Sequence, residues 1–98
     1  MKQMIPSIAY TRNAEIYKLL ANSKRLEILN RIAQREYAVE ELAKTLRVQK
    51  ANVSQHLALL RQARLVTVRR NGKNAYYKIS DPRIVEPCKI LYKLWRES

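Results

Sequence analysis

The sequence predicts a mainly α fold with a small β-hairpin, in the order α-α-α-α-β-β-α. Three observations predict it. Apolar residues recur at helical spacing in two adjoining segments between Val39 and Ala63. The period changes to alternation between Leu65 and Ile79, around Gly72, the only glycine. Asp81-Pro82 then opens a last helical stripe that runs from Ile84 to Trp95. Recurrence at i, i+3, i+4 and i+7 is the mark of an amphipathic helix, and strict alternation that of a half-buried strand.

With 98 residues, a single domain spanning 1–98 is expected. A core of that size is modest and often completed by a partner subunit. Lys and Arg number 20 against 8 Asp and Glu, a net charge of +12. Such an excess favours polyanionic partners, either nucleic acid or an anionic membrane surface. No apolar run approaches the roughly 20 residues needed to span a bilayer, which weighs against a membrane partner. The charge is also localised. Between Leu42 and Ser80 there is no Asp or Glu, while Lys44, Arg47, Lys50, Arg61, Arg64, Arg69, Arg70, Lys73 and Lys78 all fall there. An acid-free basic block is expected where a surface meets phosphates. Alone it would equally describe a solvated face; its overlap with the paired helices favours the first reading. Cys88 is the only cysteine, so an intrachain disulfide and a Cys-rich zinc site are both excluded. Met1–Tyr10 lacks the apolar stretch of a signal peptide, and a reducing cytoplasm is expected.

In chain order, residues 1–9 carry Pro6 and no clear period, and read as a loose arm. Residues 10–21 carry Ile16, Tyr17, Leu19 and Leu20, enough for a first amphipathic helix. Asn22 or Ser23 can cap the second, since a short side-chain oxygen satisfies a free amide at a helix start. That helix runs to about Gln34, with Leu26, Leu29, Ile32 and Ala33 inward and Lys24, Glu27, Arg31 and Arg35 in water. Arg35-Glu36-Tyr37 connects to the third helix, Val39–Leu46. Glu40 and Glu41 sit in its first turn, where carboxylates favour the positive end of the helix dipole; that role suffices to explain both. Arg47-Val48-Gln49 leaves room only for a tight turn before a fourth helix, at about Lys50–Ala63, which turns Val53, Leu57 and Leu60 inward. Two short helices on a tight turn form a helix-turn-helix. In that motif the second helix enters the DNA major groove.

The opposite face of the fourth helix presents Lys50, Ala51, Ser54, Gln55, Ala58, Arg61 and Gln62. Ala51 and Ala58 are small enough to let the backbone approach DNA. Gln55 can pair bidentately with adenine, and Lys50 can reach guanine or phosphate. Ser54 and Arg61 suit phosphates, which set register without reading sequence. Asn52, nearer the edge, suits either role, and Gln49 at the helix start completes this part of the set. His56 lies beside the apolar stripe and reads as a packed, hydrogen-bonded histidine. As the only histidine it cannot join a multi-histidine metal site.

Asn71-Gly72 is the strongest short hairpin signal, because a type I′ turn needs positive φ at both loop positions. A loop at those two residues pairs Arg70 with Lys73, Val68 with Ala75 and Val66 with Tyr77. Val66, Val68, Ala75, Tyr77 and Ile79 then share one face. Leu65, Thr67, Arg69, Asn74, Tyr76 and Lys78 take the other, which is mostly polar. Like charges opposed across strands cost stability, and an anionic partner would offset that cost. A basic hairpin after a helix-turn-helix reads as a wing, with Arg69, Arg70, Lys73 and Asn74 directed at phosphate or the minor groove. Asp81 caps the last helix and Pro82 takes its first position, where the missing N–H costs nothing; Pro87 can kink its start. Ile84, Cys88, Leu91 and Trp95 make a stripe that is large for a terminal helix. Helices 10–21 and 82–96 are therefore expected to dimerise through Ile16, Tyr17, Leu20, Ile84, Cys88, Leu91 and Trp95. A symmetric dimer places two recognition helices about one DNA turn apart on a pseudo-palindromic site.

Three segments carry a closer resemblance. They are Leu20-Ala21-Asn22-Ser23-Lys24-Arg25-Leu26-Glu27-Ile28-Leu29, then Val53-Ser54-Gln55-His56-Leu57-Ala58-Leu59-Leu60-Arg61, then Tyr76-Tyr77-Lys78-Ile79. Together they resemble the ArsR/SmtB family of winged-helix repressors, over about Ala14 to Leu94. The resemblance implies a cytoplasmic homodimer that represses an operon, and in many members release from DNA on metal binding or cysteine oxidation. The residues for that switching are absent. Where metal sensors of the family carry Cys-x-Cys, this chain has Tyr37-Ala38-Val39-Glu40, and no histidine follows His56. Sensors that close a disulfide within one chain need a second cysteine. The family also commonly has Gly where Arg47 and Arg64 stand, and often Ser where Gln49 stands. If its geometry is kept, Arg47 or Arg64 takes a strained left-handed conformation. The expectation is a sequence-specific regulator of double-stranded DNA, a dimeric repressor with no cofactor, no metal and no catalytic activity. The alternative, supported by charge alone, is a sequence-tolerant DNA- or RNA-binding protein.

Overall fold

The computed structural model describes residues 4–97. Five α-helices and three strands follow in order: α1 (Ser7–Leu20), α2 (Ser23–Ile32), β1 (Tyr37–Ala38), α3 (Val39–Leu46), α4 (Lys50–Gln62), β2 (Val66–Asn71), β3 (Asn74–Ile79) and α5 (Glu86–Glu97), with a 3-10 turn at Pro82–Val85 before α5. The helices and hairpin stand in the predicted order. Asn22 is the cap of α2, its side-chain oxygen accepting from the Arg25 backbone N–H at 3.0 Å.

The boundaries differ at both ends. α1 starts at Ser7, so part of the predicted loose arm is helical. Pro6 precedes the helix and its carbonyl accepts from the Ala9 N–H at 2.9 Å. A proline at a helix entrance loses no bond the helix would have made. Residues 1–3 of the predicted arm lie outside the described residues. At the other end, Asp81 caps the 3-10 turn rather than α5. The Arg83 guanidinium and backbone N–H hold the Asp81 carboxyl down to about 2. Pro87, one residue into α5, lacks the N–H that would continue a single helix from Pro82.

Ile28, Leu29, Ile32, Leu42, Val53, Leu57, Leu60 and Val66 are fully enclosed. Ile28 stood outside the predicted stripe of the second helix, whereas Leu26, inside it, is only half-buried. α2 packs against α1, α4 and β3, so its buried face is wider than one row of side chains. β1 is an element the sequence did not reveal. Tyr37 and Ala38 pair antiparallel with Tyr77 and Tyr76 of β3, giving a sheet ordered β1-β3-β2. Tyr37 is buried, and the Arg35 guanidinium stacks 3.7 Å above its ring.

The hairpin register is a correction. Asn71 pairs with Asn74, Arg70 with Ala75, Val68 with Tyr77 and Val66 with Ile79, so the loop is Gly72-Lys73. Gly72 has φ of 63°, and Asn71 is not left-handed. Putting the glycine first in the loop, as in a type II′ turn, needs only one left-handed residue, and glycine takes it without strain. The predicted opposition of Arg70 and Lys73 therefore does not occur. The slip moves each partner by two residues, so the predicted faces of Val66, Val68, Ala75, Tyr77 and Ile79 survive. Leu65, expected on the polar face, is buried; it lies before β2, in the cap that ends α4.

Arg47 and Arg64 are both left-handed, at φ 55° and 64°. Each sits at the end of a helix closed in the same way. The Val48 N–H reaches the Ala43 carbonyl at 3.0 Å, and the Leu65 N–H reaches that of Leu60 at 2.9 Å. These are Schellman closures, which place the following apolar residue back on the helix. A left-handed non-glycine costs about 1–2 kcal/mol, and the extra chain entropy of glycine offsets about 0.5–1 kcal/mol of that. Arg47→Gly and Arg64→Gly are each expected to gain about 0.5–1 kcal/mol, a rise of about 2–8 °C in Tm. Thermal melts of the two variants check this.

Candidate nucleic-acid interface

α4 is held by its inner face, where Val53, Leu57 and Leu60 have no exposed surface. That anchoring leaves Gln49, just before the helix, and Lys50, Ala51, Asn52, Ser54, Gln55, Ala58 and Arg61 along it exposed. Gln49 precedes the helix without a side-chain cap bond, so its amide stays available. Arg69, Arg70, Lys73 and Asn74 are exposed on the hairpin. All of the residues predicted to contact DNA are thus at the surface.

Electrostatic partners divide these cations. Lys50 Nζ lies 3.0 Å from Glu40 Oε1, and Arg69 Nε lies 3.0 Å from Glu36 Oε2. Arg69 also stacks on Tyr76, its opposite number on β3, at 4.9 Å. Among the described residues no ion pair is recorded for Arg61, Arg70 or Lys73. Glu36 and Glu40 are four residues apart on the β1–α3 edge. One bonds the hairpin and the other the start of α4, so both basic elements border one short segment.

Both carboxylates stand in the first turn of α3, as predicted, and each has a further partner. Glu41 reaches back to accept from the Ala38 N–H at 2.9 Å, which lowers its pKa. Glu40 accepts from Lys50 Nζ at 3.0 Å. The sequence also concealed a link from α2 to α4. Arg25 donates through Nε to the Leu19 carbonyl at 2.7 Å, and its NH1 lies 3.4 Å from His56 Nδ1. His56 is therefore packed and hydrogen-bonded, as predicted, with Nδ1 accepting. Its desolvation, and then the Arg25 charge, lower its pKa. In the unfolded chain it protonates near 6.5, while in the fold it resists. Below pH 6.5 the unfolded state binds the extra proton, so stability falls with falling pH until the folded group also titrates. Urea midpoints at pH 7.5 and 5.5 should show this loss, and His56→Gln should reduce it.

Of the residues predicted to dimerise, all but Trp95 border one apolar groove. Ile16, Tyr17 and Leu20 of α1 face Ile84, Cys88 and Leu91 across about 390 Å³. Trp95 lies beyond the groove on α5, edge-on to Tyr92 with centroids 5.1 Å apart. No residue of α1 or α5 is fully buried. Tyr17, Ile90, Leu91, Leu94 and Trp95 are all largely exposed, Trp95 by 67%. Among the described residues no three His, Cys, Asp or Glu side chains gather as metal ligands, and no helix is long and apolar enough to cross a membrane.

A helix-turn-helix whose second helix offers a polar outer face, followed by a basic hairpin, defines the winged helix-turn-helix class of DNA-binding regulators. The family model for bacterial regulatory proteins of the arsR family matches residues 22–68, and the transcriptional activator HlyU of Vibrio cholerae is 32% identical over 80 residues, 82% of this chain and 74% of that protein. The chain belongs to the ArsR family of transcriptional regulators. A transcriptional repressor SmtB homolog from Synechocystis is 38% identical over 72 residues, 74% of this chain and 54% of that protein; the chain thus spans about half the length of some curated relatives. The solution structure of a homodimeric winged helix-turn-helix DNA-binding domain from Mycobacterium bovis matches with a TM-score of 0.82 at 30% identity, covering 99% of this chain and 94% of that one.

Proposed function

We propose that the chain is a dimeric repressor that binds a pseudo-palindromic operator, with α4 in the major groove and the β2–β3 wing on the backbone or minor groove. One observation carries this reading: α4 is anchored by three enclosed apolar residues while Gln49, Lys50, Ala51, Asn52, Ser54, Gln55, Ala58 and Arg61 are exposed, polar or small, and none of them is acidic. Gln55 reads bases, Lys50 and Asn52 reach base edges or phosphate, Gln49, Ser54 and Arg61 hold phosphate, and Ala51 lets the backbone approach. Arg69, Arg70, Lys73 and Asn74 extend the contact along the wing. Dimerisation through Ile16, Tyr17, Leu20, Ile84, Cys88, Leu91 and Trp95 is supported by the large apolar surface left on α1 and α5, and by the homodimeric relative of similar fold. Repression is the reading favoured, in line with the named SmtB-type repressor. It requires no metal, cofactor or catalytic group, and a cytoplasmic site of action.

The testing experiment is a footprint on the DNA upstream of the gene encoding this protein, with reporter transcription measured alongside. Protection of a two-fold symmetric site with loss of transcription is the expected result. Arg70→Ala should weaken binding to all sequences alike and reduce the slope of log affinity against log salt by about one. A change in base preference would remove the wing from the backbone. Arg64→Gly, which stabilises the fold, should weaken DNA binding by removing a charge beside α4.

A further inference from the structure

The acid-free block of the sequence is not acid-free in space. Its counter-ions come from just before it: Glu40 reaches Lys50 and Glu36 reaches Arg69, each at 3.0 Å. These are two of the cations proposed to meet DNA, one at the start of α4 and one on the wing. Arg69 is held further by its stack on Tyr76, and Glu36 is only half-exposed. We propose that Glu36 and Glu40 are intramolecular competitors of DNA, occupying Arg69 and Lys50 until a DNA phosphate displaces them. The proposal rests on the reading of Lys50 and Arg69 as DNA contacts.

The physical case is one of exchange. A cation already paired must give up a carboxylate to gain a phosphate, and the carboxylate left behind adds repulsion at the DNA surface. With a net charge of +12, unopposed cations would bind any duplex strongly, because phosphate contacts carry no sequence information. Competition from Glu36 and Glu40 lowers affinity for every sequence alike. It therefore limits retention on non-specific DNA without selecting a base. Arg61, Arg70 and Lys73, for which no ion pair is recorded among the described residues, stay outside this control.

The test is a double-mutant cycle on binding to a labelled duplex of mixed sequence. Glu27→Gln is the control: it removes one exposed carboxylate of α2 and one ion pair, to Lys24, and leaves the Lys50 and Arg69 pairs in place. Exposed pairs are weak, so Glu40→Gln should tighten binding about two- to five-fold beyond that control. In a Lys50→Ala background the advantage should vanish. Glu36→Gln should behave likewise against Arg69→Ala. If Lys50→Ala weakens binding but Glu40→Gln only equals Glu27→Gln, the competition is refuted while the DNA contact stands. If Glu40→Gln tightens binding equally without Lys50, the carboxylate repels phosphate directly and the competition is again refuted. If Lys50→Ala leaves binding unchanged, the contact fails and the proposal falls with it.

Discussion

Leu91→Glu is expected to give a folded monomer that binds the operator about a hundredfold or more weakly. In the isolated chain Leu91 is 61% exposed at the edge of the α1–α5 groove. A carboxylate there remains in water, so the monomer's own stability should shift by no more than about 0.5 kcal/mol. In a two-fold interface the same carboxylate would lie buried beside its symmetry mate without a counter-ion, and association would fail. A dimer that engages two half-sites gains about 10²–10⁴ in affinity through effective concentration alone, and the monomer forfeits it. Sedimentation measures the first effect and a binding titration the second. A variant that stayed dimeric would move the interface away from α1 and α5.

The second large effect separates the two faces of α4. Leu57→Ala should cost about 2–5 kcal/mol, because the site is fully enclosed and closely packed. That is a large share of the roughly 5–15 kcal/mol available to a folded domain. Gln55→Ala, two residues earlier and fully on the exposed side, should leave stability within about 0.5 kcal/mol. It should instead lose about 1–3 kcal/mol of preference at one base position. Denaturant titration and competition binding read the two outcomes independently. Equal destabilisation by both would mean that Gln55 is a packing residue and that the reading face lies elsewhere.

The parts legible in the sequence were those governed by short-range periodicity. Val53, Leu57 and Leu60 repeat at helical spacing, and the alternation from Val66 to Ile79 named the inward face of the hairpin. Even a wrong register kept that face, since a slip of two preserves parity. The turn differs from the expected one because Asn-Gly favours a type I′ loop only on average. Here a single glycine placed first avoids straining Asn71. β1 has two residues, too few for any period, and exists because Tyr37 pairs with Tyr77 across a long sequence separation. The left-handed arginines were visible only through the family resemblance, since nothing intrinsic to Arg predicts positive φ.

The electrostatics of the site were the least legible. Counting charges along the chain gave a block without acid, yet Glu36 and Glu40 pair with residues 33 and 10 positions away. Those contacts depend on how β1 and α3 lie beside β3 and α4, which charge counting does not contain. Arg25 is a similar case: its side chain joins the end of α1 to His56 of α4, while its position in α2 would suggest only a solvated face.

The most direct measurement is selection of bound duplexes from a random-sequence DNA pool by the wild-type protein. Enrichment of a two-fold symmetric motif is predicted, with half-sites one helical turn, about 10–10.5 base pairs, apart. Retention of duplexes without an enriched motif would contradict α4 as a reading helix and leave a sequence-tolerant binder driven by charge.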